Sequence, residues 1–161
     1  MNNFSAFEAG AGGAVRALSV FPKQEDHAAL RSIFRSSEWP LCPGFKWALK
    51  TSKNVDEALP ILRKGRISVV LCDRDLQPGT WKDLVEAVAV LPDPPYLIVT
   101  SRHADERLWV EALNLGAYDV LPMPFHAAEV TRAVGMAWLR WADRRRPVHA
   151  NVLATVAKSV G

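Results

Sequence analysis

The run of apolar residues at 68–72 constrains the fold of this chain more than any other segment. Its sequence, Ser-Val-Val-Leu-Cys, is mostly apolar and does not alternate with polar residues. Strands that are buried on both faces, as in the interior of a parallel sheet, have this composition. Asp73 follows the run, and the turn signal Pro78-Gly79 comes shortly afterwards. Because ligands of open α/β sheets bind at the carboxyl ends of strands, Asp73 is a candidate functional carboxylate, although Asp is also a common loop residue.

Strand and helix patterns alternate along the rest of the chain. The sequence predicts strands near residues 14–21, 45–49, 68–72, 96–100 and 118–121, and helices that begin near residues 26, 54, 80, 105 and 126. This alternation indicates a parallel sheet with helices on both faces, joined by right-handed crossovers. At this size we expect an α/β, flavodoxin-like, doubly wound five-stranded parallel sheet with strand order 2-1-3-4-5. That order brings Phe21, Asp73 and Thr100 to one rim.

The length of 161 residues suits a single domain with a full hydrophobic core. Residues 1–13 are small and polar and include three closely spaced glycines, so we expect a flexible leader there. Residues 14–146 should form the folded domain. Residues 147–161 follow a proline break and carry apolar side chains at near-helical spacing, which predicts a short C-terminal helix that docks on its own domain or on a second copy.

Composition narrows the possible partners and the compartment. No apolar run approaches the roughly 20 residues needed to span a bilayer, and no signal peptide opens the chain. Cys42 and Cys72 are too far apart in the sequence to form a metal-binding motif, and they are typical of reduced thiols. The four histidines are not spaced as metal ligands. The net charge of +3 does not argue for a nucleic-acid partner. We therefore expect a cytoplasmic protein without a membrane or nucleic-acid partner.

Three segments together resemble the receiver domain of bacterial two-component response regulators, over about residues 14–141. Residues 69–73, with the Pro-Gly pair that follows, are similar to the phosphoacceptor strand and loop of that family. Residues 97–101, Leu-Ile-Val-Thr-Ser, are similar to the strand that ends in the family's switch hydroxyl. Residues 116–125 are similar to its Gly-Ala…Lys-Pro-Phe signature. The three segments occur in the family's order within one small domain, which makes the resemblance specific.

The resemblance implies a signalling function. Receiver domains accept a phosphoryl group on an aspartate from a histidine kinase with the help of Mg²⁺. They pass the signal on through the face formed by the fourth helix, fifth strand and fifth helix. Carried over by position, Asp73 matches the phosphoacceptor, Thr100 the switch hydroxyl, and Pro124 the proline that follows a cis peptide bond. The implied partner is a histidine kinase or a downstream signalling protein, and the same face could form a homodimer.

Four positions depart from the family pattern. Phe21 and Pro22 stand where the family has an acidic pair, Met123 stands where it has a lysine, and Val120 where it has an aromatic residue. Mg²⁺ sites typically use one or two carboxylates, and phosphoryl transfer depends on positioned positive charge. The departures therefore predict weak Mg²⁺ binding and a vestigial Asp73. We expect an atypical, pseudo-receiver variant that is not an enzyme and acts by binding a protein.

The sequence also allows other interpretations of the acidic residues and of the ligand that the chain binds. If the first strand continued past Pro22, Glu25 and Asp26 would supply the acidic pair, and Asp73 would be a competent phosphoacceptor. This arrangement would place a proline inside a buried strand, which is costly. Asp75 is a further candidate metal ligand, or simply a solvated loop acid. A flavodoxin-like nucleotide or flavin binder is a third reading, although no glycine-rich loop follows the first strand.

Aromatic and basic residues near the C-terminus also allow two interpretations. Trp109, Trp138 and Trp141 lie on the last two predicted helices, either as core residues or as anchors for a partner. The arginines at 144–146 either interact favourably with the C-terminus of the last helix or form a small patch for a nucleic acid or an acidic partner.

Overall fold

Residues 14–145 are described by a computed structural model and form a parallel sheet of five strands that alternate with five helices. The strands are β1 (Ala14–Val20), β2 (Lys46–Ser52), β3 (Ile67–Asp73), β4 (Tyr96–Ser101) and β5 (Asp119–Pro122). The helices are α1 (Gln24–Ser36), α2 (Val55–Lys64), α3 (Trp81–Ala89), α4 (Glu106–Leu115) and α5 (Ala127–Arg144). The strand order is β2-β1-β3-β4-β5 and every neighbouring pair is parallel, which confirms the predicted topology.

The predicted leader at 1–13 and the predicted C-terminal helix within 147–161 lie outside the described residues. Within residues 14–145, no helix combines the length and the apolar character that crossing a membrane requires.

The alternation of side chains along β3 places one hydrophobic cluster on each face of the sheet. Val70 and Cys72 belong to the cluster beneath α2, α3 and α4. Val69 and Leu71 belong to the cluster beneath α1 and α5. All four side chains have no exposed surface. A strand without polar alternation is what this double burial requires, as expected from its sequence.

The beginning of α1 corrects one of the sequence-based alternatives. β1 ends at Val20, and α1 begins at Gln24. The Phe21 N–H still donates to the Ser52 carbonyl oxygen at 3.1 Å, but Pro22 has no N–H with which to continue the ladder. The extension of the first strand past Pro22 was therefore wrong. The acidic residues that follow lie in the first turn of α1, where negative charge interacts favourably with the helix N-terminus.

Local capping signals mark the start of α2, the start of α3 and the end of α4. The Asn54 side chain accepts a hydrogen bond from the Glu57 N–H at 2.9 Å at the start of α2. Thr80 and Asp83 form a reciprocal capping box at the start of α3. Gly116 ends α4 with a left-handed φ of 105°, a conformation that is costly for residues with a Cβ. These ends fix the lengths of the connections at both rims of the sheet.

The loop between α1 and β2, residues 37–45, packs against α5. A Cβ atom built at Gly135 of α5 would lie at van der Waals distance, 3.4 Å, from the Leu41 Cβ, which shows how closely the loop and the helix approach each other. On the same face, Trp39 stacks on Trp47 with ring centroids 4.2 Å apart, and the Trp47 and Trp138 rings meet edge to face at 6.2 Å. The loop and α5 thus enclose an aromatic cluster.

The burial of Trp138, Trp141 and Trp109 distinguishes between core packing and a partner surface for the C-terminal aromatic residues. Trp138 and Trp141 are buried and belong to the core beneath α1 and α5. Trp109 on α4 is 42% exposed. Core packing therefore accounts for the two tryptophans of α5 and leaves Trp109 on the surface.

Candidate functional site

The carboxyl ends of β3 and β4 bring Asp73 and Thr100 together at one rim of the sheet. The two residues are register partners in the parallel ladder, as the predicted strand order requires. Thr100 is fully buried, and its hydroxyl donates to the Cys72 carbonyl oxygen at 3.2 Å. The Arg74 N–H donates to the Thr100 carbonyl oxygen at 2.9 Å, which extends the contact between the two strands into the loop. The candidate carboxylate and the candidate hydroxyl are thus held on a common backbone framework.

Asp73 is half-buried and its carboxylate organises the loop that follows β3. Its Oδ1 atom accepts a hydrogen bond from the Asp75 N–H at 2.9 Å. Burial raises the pKa of Asp73 above its usual value, and the charges of Asp75 and Asp26 act in the same direction. The hydrogen bond from Asp75 and the charge of Arg102 lower that pKa. The environment of Asp73 therefore disfavours negative charge overall.

The first turn of α1 brings Asp26, but not Glu25, into the protein interior at this rim. Asp26 is 6% exposed, whereas Glu25 is exposed. Arg102 lies just beyond β4, and its Nη2 atom is 3.5 Å from Asp26 Oδ1. Both charges are close enough to Asp73 to act on its pKa. Sequence reasoning did not identify Arg102, although a basic residue two positions after Thr100 has to lie at the same rim.

Phe21, directly after β1, is completely buried and contacts a hydrogen-bonded histidine. Its ring meets His27 and Phe125 edge to face, with centroid distances of 5.7 and 6.0 Å. His27 Nε2 lies 2.9 Å from the Phe21 carbonyl oxygen, and His27 Nδ1 lies 2.5 Å from Ser19 Oγ. These partners suit a neutral imidazole that donates from Nε2 and accepts the Ser19 hydroxyl at Nδ1. Sequence reasoning did not find this buried network.

The end of β5 is apolar as well. Val120 and Met123 are 3% and 7% exposed, and Met123 belongs to the same buried cluster as Phe21. The Met123–Pro124 peptide bond is cis, as the resemblance implied. The Gln77–Pro78 bond is cis too, which the sequence did not predict. The positions that depart from the family pattern directly after β1, within β5 and directly after β5 therefore contribute hydrophobic contacts to the core.

The carboxylates at the rim do not fit a Mg²⁺ site as they stand. Within residues 14–145, no three Asp, Glu, His or Cys side chains are grouped closely enough to hold a metal ion. Asp26 is paired with Arg102, and Asp73 binds the backbone of its own loop. A hard divalent cation prefers several oxygen ligands in a regular arrangement, which these contacts do not provide.

Comparison with known proteins gives one relative by sequence. No protein-family model matches the chain. The DNA-binding transcriptional regulator NtrC of Proteus hauseri is 25% identical over 142 residues, which cover 85% of this chain and 28% of that protein. The chain thus spans little more than a quarter of the relative's length.

Solved structures give a closer match in architecture. The signal receiver domain of a protein described as a LuxO repressor from Vibrio parahaemolyticus superposes with a TM-score of 0.71 at 15% identity, over 81% of this chain and 95% of that one. The beryllofluoride-activated NtrC4 receiver domain dimer gives a TM-score of 0.67 at 20% identity, over 78% and 98%. Together with the strand order and the five flanking helices, these similarities establish that the chain has the CheY-like, flavodoxin-like fold of response-regulator receiver domains.

Proposed function

We propose that this chain is a cytoplasmic, receiver-like signalling module of a two-component pathway, that it acts by binding a protein partner, and that Asp73 accepts phosphoryl groups poorly. The fold and the position of Asp73 at the end of β3 support the general assignment. The burial of Phe21 and Met123 in one hydrophobic cluster is the observation that carries the proposal of impaired chemistry. Both side chains replace charged groups of the family pattern with core packing.

The electrostatics of the rim point in the same direction. Phosphorylation of Asp73 would place the negative charge of the phosphoryl group at a half-buried position, where burial already raises the pKa of the carboxyl group and so disfavours negative charge. Asp75 and Asp26 contribute further negative charge, and Met123 offers no cation to balance it. Because phosphoryl transfer depends on charge neutralisation and positioning, we expect the modification to be slow or incomplete.

A specific observation favours the second candidate, a competent phosphoacceptor. Asp26 is buried at the same rim and its charge acts on Asp73, so one carboxylate of the missing pair has a substitute from α1. Arg102 would supply one positive charge. In this candidate a histidine kinase phosphorylates Asp73, and Thr100 responds through its position beside Asp73 on β4.

The partner surface that we propose is the face formed by α4, β5 and α5. Trp109, Val110 and Leu113 of α4 and Met136 of α5 are large apolar side chains with 36–55% of their surface exposed. Exposed aromatic and apolar side chains are favoured anchors of protein interfaces. The partner would be a histidine kinase, a downstream signalling protein or a second copy. The NtrC4 receiver dimer supports the last choice, because it is a self-associated domain of this fold.

Treatment of the purified protein with a small-molecule phosphodonor and Mg²⁺ tests the chemistry. We expect intact-mass measurements to show only a minor phosphorylated fraction at Asp73, because Met123 offers no cation and Arg102 is paired with Asp26. Asp75→Asn is the matched control, since it removes a neighbouring loop carboxylate and leaves the phosphoacceptor in place. Partner capture should be equal for the wild-type protein and Asp73→Asn.

Stoichiometric phosphorylation of the wild-type protein that disappears in Asp73→Asn would contradict impaired phosphorylation and favour the second candidate. Loss of partner capture in Asp73→Asn would contradict a phosphorylation-independent module. The two measurements are independent, since the first reports on chemistry and the second on recognition.

A further inference from the structure

The strand β2 forms one edge of the sheet, and its outer side is free to pair within the part of the chain that the structure describes. β2 stands last in the strand order, and among residues 14–145 it pairs with β1 alone. An edge strand presents backbone N–H and C=O groups that can form hydrogen bonds with a further strand. With seven residues, β2 is long enough to accept a complete strand of ordinary length.

The two faces of β2 differ in character. Lys46 and Lys50 are exposed and lie four residues apart, so they share one face of the strand. Lys50 is the register partner of Leu18, which belongs to the cluster beneath α2, α3 and α4, so both lysines lie on the α2 face. Trp47 and Leu49 are partly buried against the cluster on the opposite face. The edge therefore combines a cationic row on one face with an apolar row on the other.

Further cations stand behind the two lysines. Arg16 of β1 is exposed and is the register partner of Ala48, the residue midway between the lysines on the same face. The last turn of α2, a helix that contacts β2, adds Arg63 and Lys64, which also interact favourably with the C-terminus of the helix. None of these cations, nor either lysine, forms a salt bridge within the described residues. Their positive charge is available to a partner.

Two other occupants fit this edge less well. Antiparallel pairing of β2 with a second copy would bring the lysines of both copies together on one face, and like charges on neighbouring strands are destabilising. A nucleic acid would be attracted by the cations, but its phosphodiester backbone has no row of N–H and C=O groups to match those of the strand. An extended acidic peptide satisfies both the charge and the hydrogen bonds of the edge.

We propose that the outer edge of β2 binds an extended acidic segment of a protein partner, which adds a strand to the sheet with its carboxylates beside Lys46 and Lys50. Main-chain hydrogen bonds supply affinity in such strand addition, and alternate side chains supply specificity. The apolar side chains of the segment meet the face that carries Trp47 and Leu49. Because β2 and β5 stand at opposite ends of the strand order, this surface is separate from the face formed by α4, β5 and α5.

A fluorescein-labelled peptide of about nine residues, alternating glutamate and valine, is the probe, and fluorescence anisotropy measures its binding to the wild-type protein. We expect saturable binding that weakens as NaCl is raised from about 50 to 500 mM, because salt screens exposed charges. A peptide that alternates glutamate and proline carries the same charge but lacks half of the N–H donors. It should bind at least about tenfold more weakly, since several hydrogen bonds are lost.

The double substitution of Lys46→Gln with Lys50→Gln should weaken binding of the glutamate–valine peptide about three- to tenfold, the usual effect of removing two exposed ion pairs. Arg132→Gln with Arg140→Gln, at exposed positions of α5, removes the same charge elsewhere and should leave the affinity unchanged. Hydrogen exchange followed by mass spectrometry reports on strand addition itself. The peptide should slow exchange in residues 46–52 of the wild-type protein.

The inference is overturned if the glutamate–valine peptide does not bind, if the glutamate–proline peptide binds equally well, or if both double variants weaken binding alike. Duplex DNA of about 20 base pairs is tested in the same assay. Tighter binding of the DNA than of the peptide, lost in the lysine variant, would assign the edge to nucleic acid and would also overturn the inference. Phosphorylation of Asp73 is a separate measurement, so failure of the proposed function and failure of this inference are distinguishable.

Discussion

Phe21→Ala should lower the free energy of unfolding by about 3–5 kcal/mol, the usual cost of removing a buried phenylalanine side chain. The Phe21 ring has no exposed surface and packs edge to face against His27 and Phe125. Its removal would leave a cavity at the end of β1, and the strand ladder limits how far the surroundings can collapse. Urea unfolding monitored by far-ultraviolet circular dichroism measures the change.

Phe125→Ala is the matched control for this substitution, because Phe125 is the partner ring and is only half-buried. We expect a clearly smaller loss of stability for the control. Phe21→Leu retains most of the volume and should cost less than about 1.5 kcal/mol. A loss for Phe21→Ala no greater than that for Phe125→Ala would show that Phe21 is not an element of the core. Hydrophobic core packing would then not explain why Phe21 stands where the receiver pattern has an acidic residue.

The free energy of unfolding should fall as the pH is lowered below about 6.5, because the imidazole of His27 is buried in its neutral form. Burial is the largest cause that lowers the pKa of His27 from its ordinary value of 6.5, and Arg31 lowers it further. The hydrogen bond to the Phe21 carbonyl oxygen and the charge of Asp26 partly oppose this effect. Below the ordinary pKa the unfolded chain binds a proton that the folded protein resists, so the unfolded state is favoured.

The slope contributed by one such histidine is at most about 1.4 kcal/mol per pH unit. Above pH 6.5 both states are neutral, so His27 contributes no pH dependence there. Chemical unfolding of the wild-type protein and of His27→Gln between about pH 8 and pH 5 isolates the contribution, because carboxylates that titrate in this range affect both proteins alike. His126→Gln, at an exposed position before α5, is the control. Equal slopes for the wild-type protein and His27→Gln would contradict the assignment.

The topology could be predicted because several signals agreed along the whole chain. The unbroken apolar run of β3 required burial on both faces, and the alternation of strands with helices allowed one common strand order. Thr80 with Asp83 and the terminal Gly116 marked helix ends through local backbone chemistry, which does not depend on distant residues. Such local signals can be identified in a single sequence.

The position of Asp26 could not be predicted, because it depends on where β1 stops and α1 begins. Asp26 precedes Leu30 by four residues and shares its buried face only when the helix already includes residue 26, which is where the sequence predicts the helix to begin. The pair with Arg102 joins residues separated by 76 positions, and no local pattern connects them. His27 was missed for a similar reason, since its partners become neighbours only after β1 has paired with the sheet.

Trp109 could have been separated from the tryptophans of α5 by helical phase alone. Trp138 and Trp141 share the stripe of Val130 and Val134, all of which are buried. Trp109 follows Leu108, which faces the sheet, and is rotated by about 100° from it. The helical period therefore predicts which of these tryptophans are buried, whereas residue type alone does not.

The packing of the 37–45 loop on α5 also divides the protein's intrinsic chromophores into separate optical reporters. Four of the six tryptophans, at positions 39, 47, 138 and 141, lie in the core and the loop on the α1 and α5 face. The rings of Trp39 and Trp47 stack, and those of Trp47 and Trp138 meet edge to face, which favours exciton coupling in near-ultraviolet circular dichroism and energy transfer in emission. Trp109 is accessible to an ionic quencher on α4, and Trp81 is buried with Leu76 in the cluster below the loop that follows Asp73. Near-ultraviolet circular dichroism therefore reports on the docked loop. Quenching of Trp109 fluorescence reports on the surface of α4. In a variant in which Trp81 is the one tryptophan left, its emission reports on the rim.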